Sequence, residues 1–165
     1  MVLRRTIPAT ASVVQKMNGD RLHSPAAAKN VSHITELVCS VSPKNGTALE
    51  IASGTGQHII KLAAVIPNLT WQPSDIDTAR LNSIVSWSFE KQLPNLLPPI
   101  KLDVTDEGWS ALCPNQDLIL LVNLLHLVSE SEAKVIIDGI SKSLMPGGRC
   151  VIYGPFMRDG FLTSD

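Results

Sequence analysis

Two glycines lie in the segment Ala52-Ser53-Gly54-Thr55-Gly56, where a short apolar run gives way to a helical pattern. Gly54 and Gly56 let the backbone turn sharply and approach a ligand closely, and the helix that follows offers unpaired backbone N–H groups. In a doubly wound sheet, the loop after the first strand lies beyond the carboxyl ends of the strands, where ligands bind. The segment is therefore a candidate cofactor loop, although such glycine pairs also occur in ordinary tight turns.

Two positions near this loop bear on which cofactor it takes. Glu50, at the end of the preceding apolar run, places a carboxylate beside the loop, which suits a cofactor with an ammonium group and repels a pyrophosphate. A dinucleotide fingerprint has a third glycine three residues beyond the second, and Ile59 occupies that position here. The sequence therefore disfavours a nicotinamide-dependent reductase.

Two aspartates follow the next apolar runs. Asp75 lies 21 residues after Gly54, the spacing at which a carboxylate in this class of fold binds the ribose hydroxyls of an adenosine. Asp103 ends the third run and is placed to accept a hydrogen bond from an adenine amino group. Each also has a simpler interpretation as a turn or strand-end residue, and for Asp77 we prefer a role as a helix cap.

The residues after the fourth apolar run face the glycine loop across the crevice of such a sheet. Asn123 and His126 are therefore candidate catalytic residues, and Asn123 is also a candidate for cofactor contact. A lone histidine beside leucines is more often a packed or rim residue than a catalyst. His58 follows the glycine loop, but a helix N-terminus disfavours imidazolium, so we assign it no proton chemistry.

The elements that position these residues alternate between short apolar runs and helical stretches, the pattern of repeated βαβ units. Ser24 followed by Pro25 marks the start of the first helix, and Ser129 with Glu132 forms a capping box at the start of the last. We predict strands at 47–52, 69–72, 100–102, 118–122 and 149–153, and helices at 25–41, 56–66, 77–91, 106–112 and 130–145.

Length and composition limit the number of domains and the class of function. The 165 residues, of which 44% are apolar and 18% charged, fit one well-buried domain. We predict a flexible arm at residues 1–23 and one domain at residues 24–165. Because the 14 basic residues are balanced by 15 acidic ones, the chain has no positive excess and strong nucleic-acid binding is not expected.

The same composition bears on the compartment. The apolar runs are too short to cross a bilayer, and the 3 cysteines lack the spacing of a metal site, so we predict no membrane contact and no metal. The predicted compartment is the cytoplasm. Mitochondrial import is an alternative, because Arg4, Arg5 and Lys16 precede the first acidic residue, Asp20.

These motifs together resemble the methyltransferase-like 26 family, a branch of the class I S-adenosylmethionine-dependent methyltransferases. The likeness is most specific over Leu49–His58 and spans about residues 20–165. It implies a Rossmann-like α/β fold with the parallel strand order 3-2-1-4-5, and S-adenosylmethionine as cofactor. On this basis the predicted cofactor-binding residues are Glu50, Ala52, Gly54, Thr55, Gly56, Asp75, Asp103, Val104 and Asn123.

The end of the sequence departs from the class. The last helix and the closing hairpin of strands 6 and 7 are predicted to be missing, which leaves the fifth strand, near residues 149–153, as an edge that can pair with a second chain. The predicted function is methyl transfer from S-adenosylmethionine to an unidentified acceptor nucleophile. The alternative is a non-catalytic fragment or interaction module that retains the cofactor-binding part of the fold.

Overall fold

The structure is a computed structural model that describes residues 13–158 and 161–162. Its elements alternate along the chain in the predicted βαβ manner. In chain order they are β1 (Gln15–Lys16), β2 (Leu22–His23), α1 (Pro25–Val41), β3 (Gly46–Ile51), α2 (Gln57–Val65), β4 (Leu69–Asp75), α3 (Thr78–Lys91), β5 (Ile100–Lys101), a 3-10 helix (Trp109–Leu112), β6 (Gln116–Val122), a second 3-10 helix (Leu125–Leu127), α4 (Glu130–Ser143), β7 (Leu144–Tyr153), β8 (Met157–Arg158) and β9 (Phe161–Leu162).

The main sheet has five parallel strands in the order β5-β4-β3-β6-β7. Counted along the chain, this is the order 3-2-1-4-5, so the predicted topology is confirmed. The chain leaves the central strand β3 toward β4 and β5, and then crosses to β6 on the other side of β3. The strand order therefore reverses between β3 and β6, which places a ligand crevice beyond their carboxyl ends.

Helix starts are set by the caps that the sequence predicts. The Ser24 side chain accepts a hydrogen bond from Ala27 N at the start of α1, and the Asp77 side chain accepts one from Arg80 N at the start of α3. The capping box of Ser129 and Glu132 is present at the start of α4. These bonds satisfy backbone donors that a helix leaves unpaired at its first turn. No helix in the described part of the chain is long and apolar enough to span a bilayer.

Helices cover both faces of the sheet. Consecutive residues of a strand point to opposite faces, so neighbouring residues belong to different hydrophobic clusters. On β3, Ala48 belongs to the cluster under α1 and α2, whereas Leu49 belongs to the cluster under α4. The first cluster is built around Ile34, Val38, Ile59, Leu62, Trp71 and Ile84, and the second around Ile51, Trp109, Ile119, Leu121, Ile136 and Ile140. This two-sided burial fixes the strands whose ends carry the predicted site.

Several element bounds differ from the prediction. β4 continues through Pro73 to Asp75. A proline has no N–H to donate to a neighbouring strand, but β5 pairs with β4 only from Ser74 onward, so Pro73 interrupts no hydrogen bond between β4 and β5. β7 starts at Leu144 instead of residue 149, and the short helix predicted at 106–112 is a 3-10 turn at Trp109–Leu112. These differences lie at element ends and leave the order of strands unchanged.

Part of the predicted flexible arm is structured. Residues 1–12 lie outside the described residues, but β1 and β2 form an antiparallel hairpin in which Gln15 pairs with His23 and Lys16 with Leu22. The Leu22 backbone N–H donates to Ser83 Oγ on α3 at 2.9 Å. Strands of two residues carry too little alternation for the sequence to reveal them. The domain boundary at residue 24 remains a prediction.

The expectation that no hairpin follows the fifth strand also needs correction. β8 and β9 pair antiparallel, with Met157 opposite Leu162, and form a two-stranded sheet of their own. These strands are again two residues long, so the sequence pattern does not mark them. In the described part of the chain, β7 pairs with β6, and self-association through its other side remains a prediction.

Candidate functional site

The loop between β3 and α2 has an unusual backbone. Ala52, Gly54 and Gly56 all have left-handed conformations, with φ of 53°, 58° and 90°. Glycine adopts this region freely, whereas an alanine there is strained. The loop at residues 52–56 therefore turns sharply three times within five residues, and Ala52 retains an energetically costly conformation to do so.

The two glycines of this loop serve different purposes. A Cβ added to Gly54 would find no heavy atom nearer than Ala52 O at 4.0 Å, so it would project into open space. A Cβ added to Gly56 would approach Ile84 Cγ1 of α3 to 3.0 Å. Gly54 therefore keeps space free in front of the loop, whereas Gly56 allows close packing of the loop against α3.

Asp75 holds the loop from the neighbouring strand. Its Oδ2 accepts a hydrogen bond from Gly54 N at 2.9 Å, and its Oδ1 accepts one from Asp77 N at 2.9 Å. Ser53 N donates to Ser74 O at 2.7 Å, and Ser74 N donates to Ser53 Oγ at 3.2 Å. The predicted ribose ligand thus also fixes the glycine loop, and each carboxylate oxygen still has capacity for a further donor.

Glu50 lies beneath the loop and is almost completely buried, at 1% exposure. Its Oε2 is a buried atom with no hydrogen-bond partner among the described residues. Burial, with a smaller contribution from the negative charge of Asp75, raises the pKa of Glu50 to about 8, while a hydrogen bond with Ser53 acts in the opposite direction. The carboxyl is therefore largely protonated at pH 7 unless a cation or donor approaches it.

A cavity of about 480 Å³ opens in front of the loop. It takes in residues from the loop, from the start of α1 and from the segment after β6. Its lining consists of Val13, Val14, Ser24, Pro25, Ala26, Ala27, Lys29, Ala52, Ser53, Gly54, Thr55, His58, Arg80, Val122, Asn123, Leu124 and Leu127. Of the predicted site residues, Ala52, Gly54, Thr55 and Asn123 line this cavity. Glu50, Gly56 and Asp75 lie at or beneath the same loop without lining it.

The remaining predicted residues do not line the cavity. Asp103 Oδ1 accepts hydrogen bonds from Thr105 N at 3.0 Å and Thr105 Oγ1 at 2.6 Å, and Val104 is buried. His126 lies exposed on the second 3-10 helix, between the lining residues Leu124 and Leu127. Cofactor contact by Asp103 and Val104 and catalysis by His126 remain predictions.

His58 is part of the lining, and its imidazole is neutral at pH 7. Burial lowers its pKa to about 4, and its Nε2 lies 2.8 Å from Asn30 Oδ1. Because the amide oxygen can only accept, Nε2 carries the proton in this hydrogen bond. The neutral imidazole links α1 to α2, and the absence of proton chemistry at His58 stays a prediction.

One side of the cavity was not predicted from the sequence, and it consists of residues 13–14, before the hairpin β1–β2, and of the start of α1. Ser24 N donates to Gln57 Oε1 at 2.5 Å, so the beginning of α1 lies against the first turn of α2. The cationic residues Lys29 and Arg80 also line the cavity, and Arg80 Nη1 lies 4.0 Å from Asp75 Oδ2. The only sequence sign of this side was the Ser24-Pro25 helix start. Within the described residues, no cluster of three or more His, Cys, Asp or Glu side chains is placed to hold a metal ion.

Solved structures share this architecture. Coclaurine N-methyltransferase bound to N-methylheliamine and S-adenosylhomocysteine superimposes with a TM-score of 0.63 at 17% identity, over 74% of this chain and 35% of that one. The glycopeptide N-methyltransferase MtfA with S-adenosylmethionine gives 0.64 at 15% identity, over 74% and 53%. An O-methyltransferase family protein from Burkholderia thailandensis gives 0.68 at 19% identity, over 81% and 40%.

The fold is therefore the Rossmann-like α/β fold of the class I methyltransferases. This chain spans between about a third and about half of the length of those three proteins. Residues 21–165 match the family described as "Protein of unknown function (DUF938)", and the chain belongs to that family.

Proposed function

We propose that this chain binds S-adenosylmethionine in the cavity in front of residues 52–56 and takes part in methyl transfer to an acceptor nucleophile. The observation that supports this proposal most is the open space at Gly54. This glycine lies on a hydrogen-bonded loop at the carboxyl end of the central strand β3. The structures of coclaurine N-methyltransferase with S-adenosylhomocysteine and of MtfA with S-adenosylmethionine support this choice of ligand, since both have the same fold.

The residues present fit the chemical groups of this cofactor. The unpaired Oε2 of Glu50 suits an ammonium group, which would supply the missing donor and favour the ionised carboxylate. Asp75 suits the ribose hydroxyls by its chemistry, because its two oxygens retain acceptor capacity; like Glu50, it lies beneath the loop and does not itself line the cavity. The cavity volume of about 480 Å³ lies within the usual range for small-molecule sites.

The bound cofactor would supply a methyl group on a sulfonium, which is already a good leaving group. The protein's contribution is therefore to position the reactants in line and to exclude water. The lining residues from the end of β6 and the segment after it are Asn123 and the apolar residues Val122, Leu124 and Leu127. We assign Asn123, with His126 at the rim, to the side of the cavity where the acceptor enters.

We further infer that the chain belongs to the methyltransferase-like 26 branch of the class. The support for this branch is the motif resemblance over Leu49–His58. The acceptor is an N, O or S nucleophile of unidentified chemistry.

Isothermal titration of the wild-type chain with S-adenosylhomocysteine tests the cofactor assignment. We expect Gly54→Ala to weaken binding at least about tenfold, because its methyl group would occupy the cavity. Gly108→Ala is the matched control, since Gly108 also has a positive φ, of 84°, and open space around its Cβ position but does not line the cavity.

Equal loss of affinity in the two variants would mean that the loop at residues 52–56 does not bind the cofactor. Heat on titration with NADH but not with S-adenosylhomocysteine would contradict the choice of cofactor. Transfer of labelled methyl groups from S-adenosylmethionine to a cell-extract fraction, lost in Gly54→Ala and retained in Gly108→Ala, would support methyl transfer as the reaction.

A further inference from the structure

The hairpin β1–β2 packs against α3, which also contacts the loop at residues 52–56. The Arg21 guanidinium lies over the Trp87 ring, 5.2 Å from its centre, and Arg21 also pairs with Glu90. Trp87 Nε1 donates a hydrogen bond to Leu22 O at 3.2 Å. A two-stranded hairpin is marginal by itself in water, so these contacts with α3 decide whether it stays folded.

Ser83 links this hairpin to the cofactor loop. It is fully buried on α3, and its Oγ accepts a hydrogen bond from Leu22 N at 2.9 Å. The same hydroxyl donates to Thr55 O at 2.9 Å. A serine hydroxyl has one proton to donate and lone pairs to accept, so Ser83 connects the two backbones in one chain of hydrogen bonds.

Gln57 provides a second connection to the same residue of the loop. Its Oε1 accepts hydrogen bonds from Ser24 N at 2.5 Å and from Thr55 Oγ1 at 2.8 Å. Thr55 is therefore linked to residues 22–24 through both its carbonyl oxygen and its hydroxyl. Both connections are buried or partly buried, where a broken hydrogen bond costs more than it does in water.

The segment that these bonds hold also lines the cavity. Val13 and Val14 contribute at one end of the segment and Ser24 at the other, while Thr55 lines the cavity from the loop side. A ligand in the cavity would thus contact both partners of the connection. Val13 is 53% exposed without a ligand, so it has apolar surface to bury when one binds.

We propose that residues 13–24 form a movable wall of the cofactor site, and that Ser83 and Gln57 are positioning residues that couple this wall to the loop at residues 52–56. The proposal rests on the proposed function for the identity of the ligand. Because coupling between two sites is reciprocal, ligand binding stabilises the hairpin to the same extent that the docked hairpin strengthens ligand binding.

Amide hydrogen exchange without ligand tests the coupling independently of the cofactor. We follow the exchange of two amides that are not bonded to Ser83. Met17 N, in the hairpin, donates to Arg21 O, and Gly54 N, in the loop, donates to Asp75 Oδ2. In Ser83→Ala we expect both to exchange at least about fivefold faster. Ser88→Ala is the control, because the Ser88 hydroxyl donates to Val85 O within the same helix and to no other described residue.

Arg21→Ala is a second variant in case Ser83→Ala does not fold, since Arg21 is partly exposed and outside the core. It releases the hairpin from Trp87 and Glu90, and we expect faster exchange at Gly54 N as well. If Gly54 N exchanges at the wild-type rate in a folded Ser83→Ala or Arg21→Ala protein, the coupling does not exist.

The same measurement with S-adenosylhomocysteine separates this proposal from the proposed function. We expect the ligand to slow exchange at both Gly54 N and Met17 N in the wild type, and to bind several-fold more weakly to Ser83→Ala. Protection of Gly54 N without protection of Met17 N would overturn the coupling but leave the cofactor site intact. Protection of neither amide would contradict the proposed function itself.

Discussion

The two sides of the cavity that follow β3 and β6 are built differently. The loop after β3 donates a hydrogen bond to Asp75 of the neighbouring strand β4 and accepts one from Ser83 of α3. The segment after β6 is held by main-chain bonds, from Asn123 N to Tyr153 O at 2.7 Å and from Leu127 N to Leu124 O at 2.8 Å. Polar side chains buried in the core thus fix the first side, while apolar side chains cover the second.

This difference suggests that, in the proposed methyl transfer, the first side would bind the cofactor and the second side would bind the acceptor. A loop fixed before the ligand arrives loses little conformational entropy on binding, which suits a cofactor common to a whole class of proteins. An apolar surface on a 3-10 turn changes shape and specificity with few substitutions. Substitutions on the first side test whether it is as firmly preorganised as its hydrogen bonds indicate.

The largest effect is expected for Asp75→Ala. The substitution leaves Gly54 N and Asp77 N without their charged acceptor inside the protein, and we expect a loss of about 3 kcal/mol in the free energy of unfolding. Urea denaturation measures this loss. Asp77→Ala is the control, because Asp77 is an exposed helix cap worth about 1 kcal/mol. Similar losses in the two variants would show that Asp75 does not hold the loop.

The next effect depends on pH. Glu50 has a folded-state pKa of about 8, above its usual 4.5, so its stabilising contribution is complete below pH 4.5 and is lost as the pH rises to 8. His58 has a folded-state pKa of about 4, below its usual 6.5, so its contribution is complete above pH 6.5 and is lost as the pH falls to 4. Between pH 4.5 and 6.5 the two trends oppose each other.

The effect of Glu50 alone is therefore expected between pH 6.5 and 8. There the free energy of unfolding of the wild type should fall by at most about 1.4 kcal/mol per pH unit, and Glu50→Gln should remove most of this slope. Urea denaturation of both proteins at pH 6.5, 7.25 and 8 measures it. A slope unchanged by the substitution would show that Glu50 is ionised in the folded protein, contrary to its burial.

The smallest effect is expected for Ala52→Gly. Glycine removes the strain of a left-handed alanine at φ 53°, and we expect a stabilisation of up to about 1 kcal/mol by urea denaturation. Gln92→Gly, at φ 49° on the end of α3, should stabilise by a similar amount without changing the cavity. A destabilised Ala52→Gly protein beside a stabilised Gln92→Gly protein would mean that the Ala52 methyl group contributes packing that outweighs its strain.

Local patterns of apolar runs and helix caps predicted the strands, the helices and the position of the loop, whereas the strand order was implied by the family resemblance. The sequence spacing also singled out Asp75 at the end of the second strand of the main sheet, and its binding of a ribose stays a prediction. It did not predict that Asp75 binds Gly54 N, because that bond depends on the register of β3 and β4 and on the left-handed turns between them.

The side of the cavity formed by residues 13–29 could not be predicted for a different reason. The hairpin has strands of two residues, and its stability depends on contacts of Leu22 with Trp87 and Ser83. These residues are 65 and 61 positions away from Leu22 in the sequence. Such long-range contacts leave no local pattern. The different roles of Gly54 and Gly56 likewise depend on where Ile84 of α3 packs.

The central claim is that the loop at residues 52–56 contacts the cofactor, and an NMR titration of the ¹⁵N-labelled wild-type chain with S-adenosylhomocysteine tests it most directly. The account predicts large, saturable shifts of the Gly54 and Thr55 amide signals. The signals of Gly108 and Gly147, which have positive φ but do not line the cavity, should stay nearly unchanged. Saturable binding that leaves Gly54 and Thr55 unshifted, or no binding at millimolar ligand, would contradict the account.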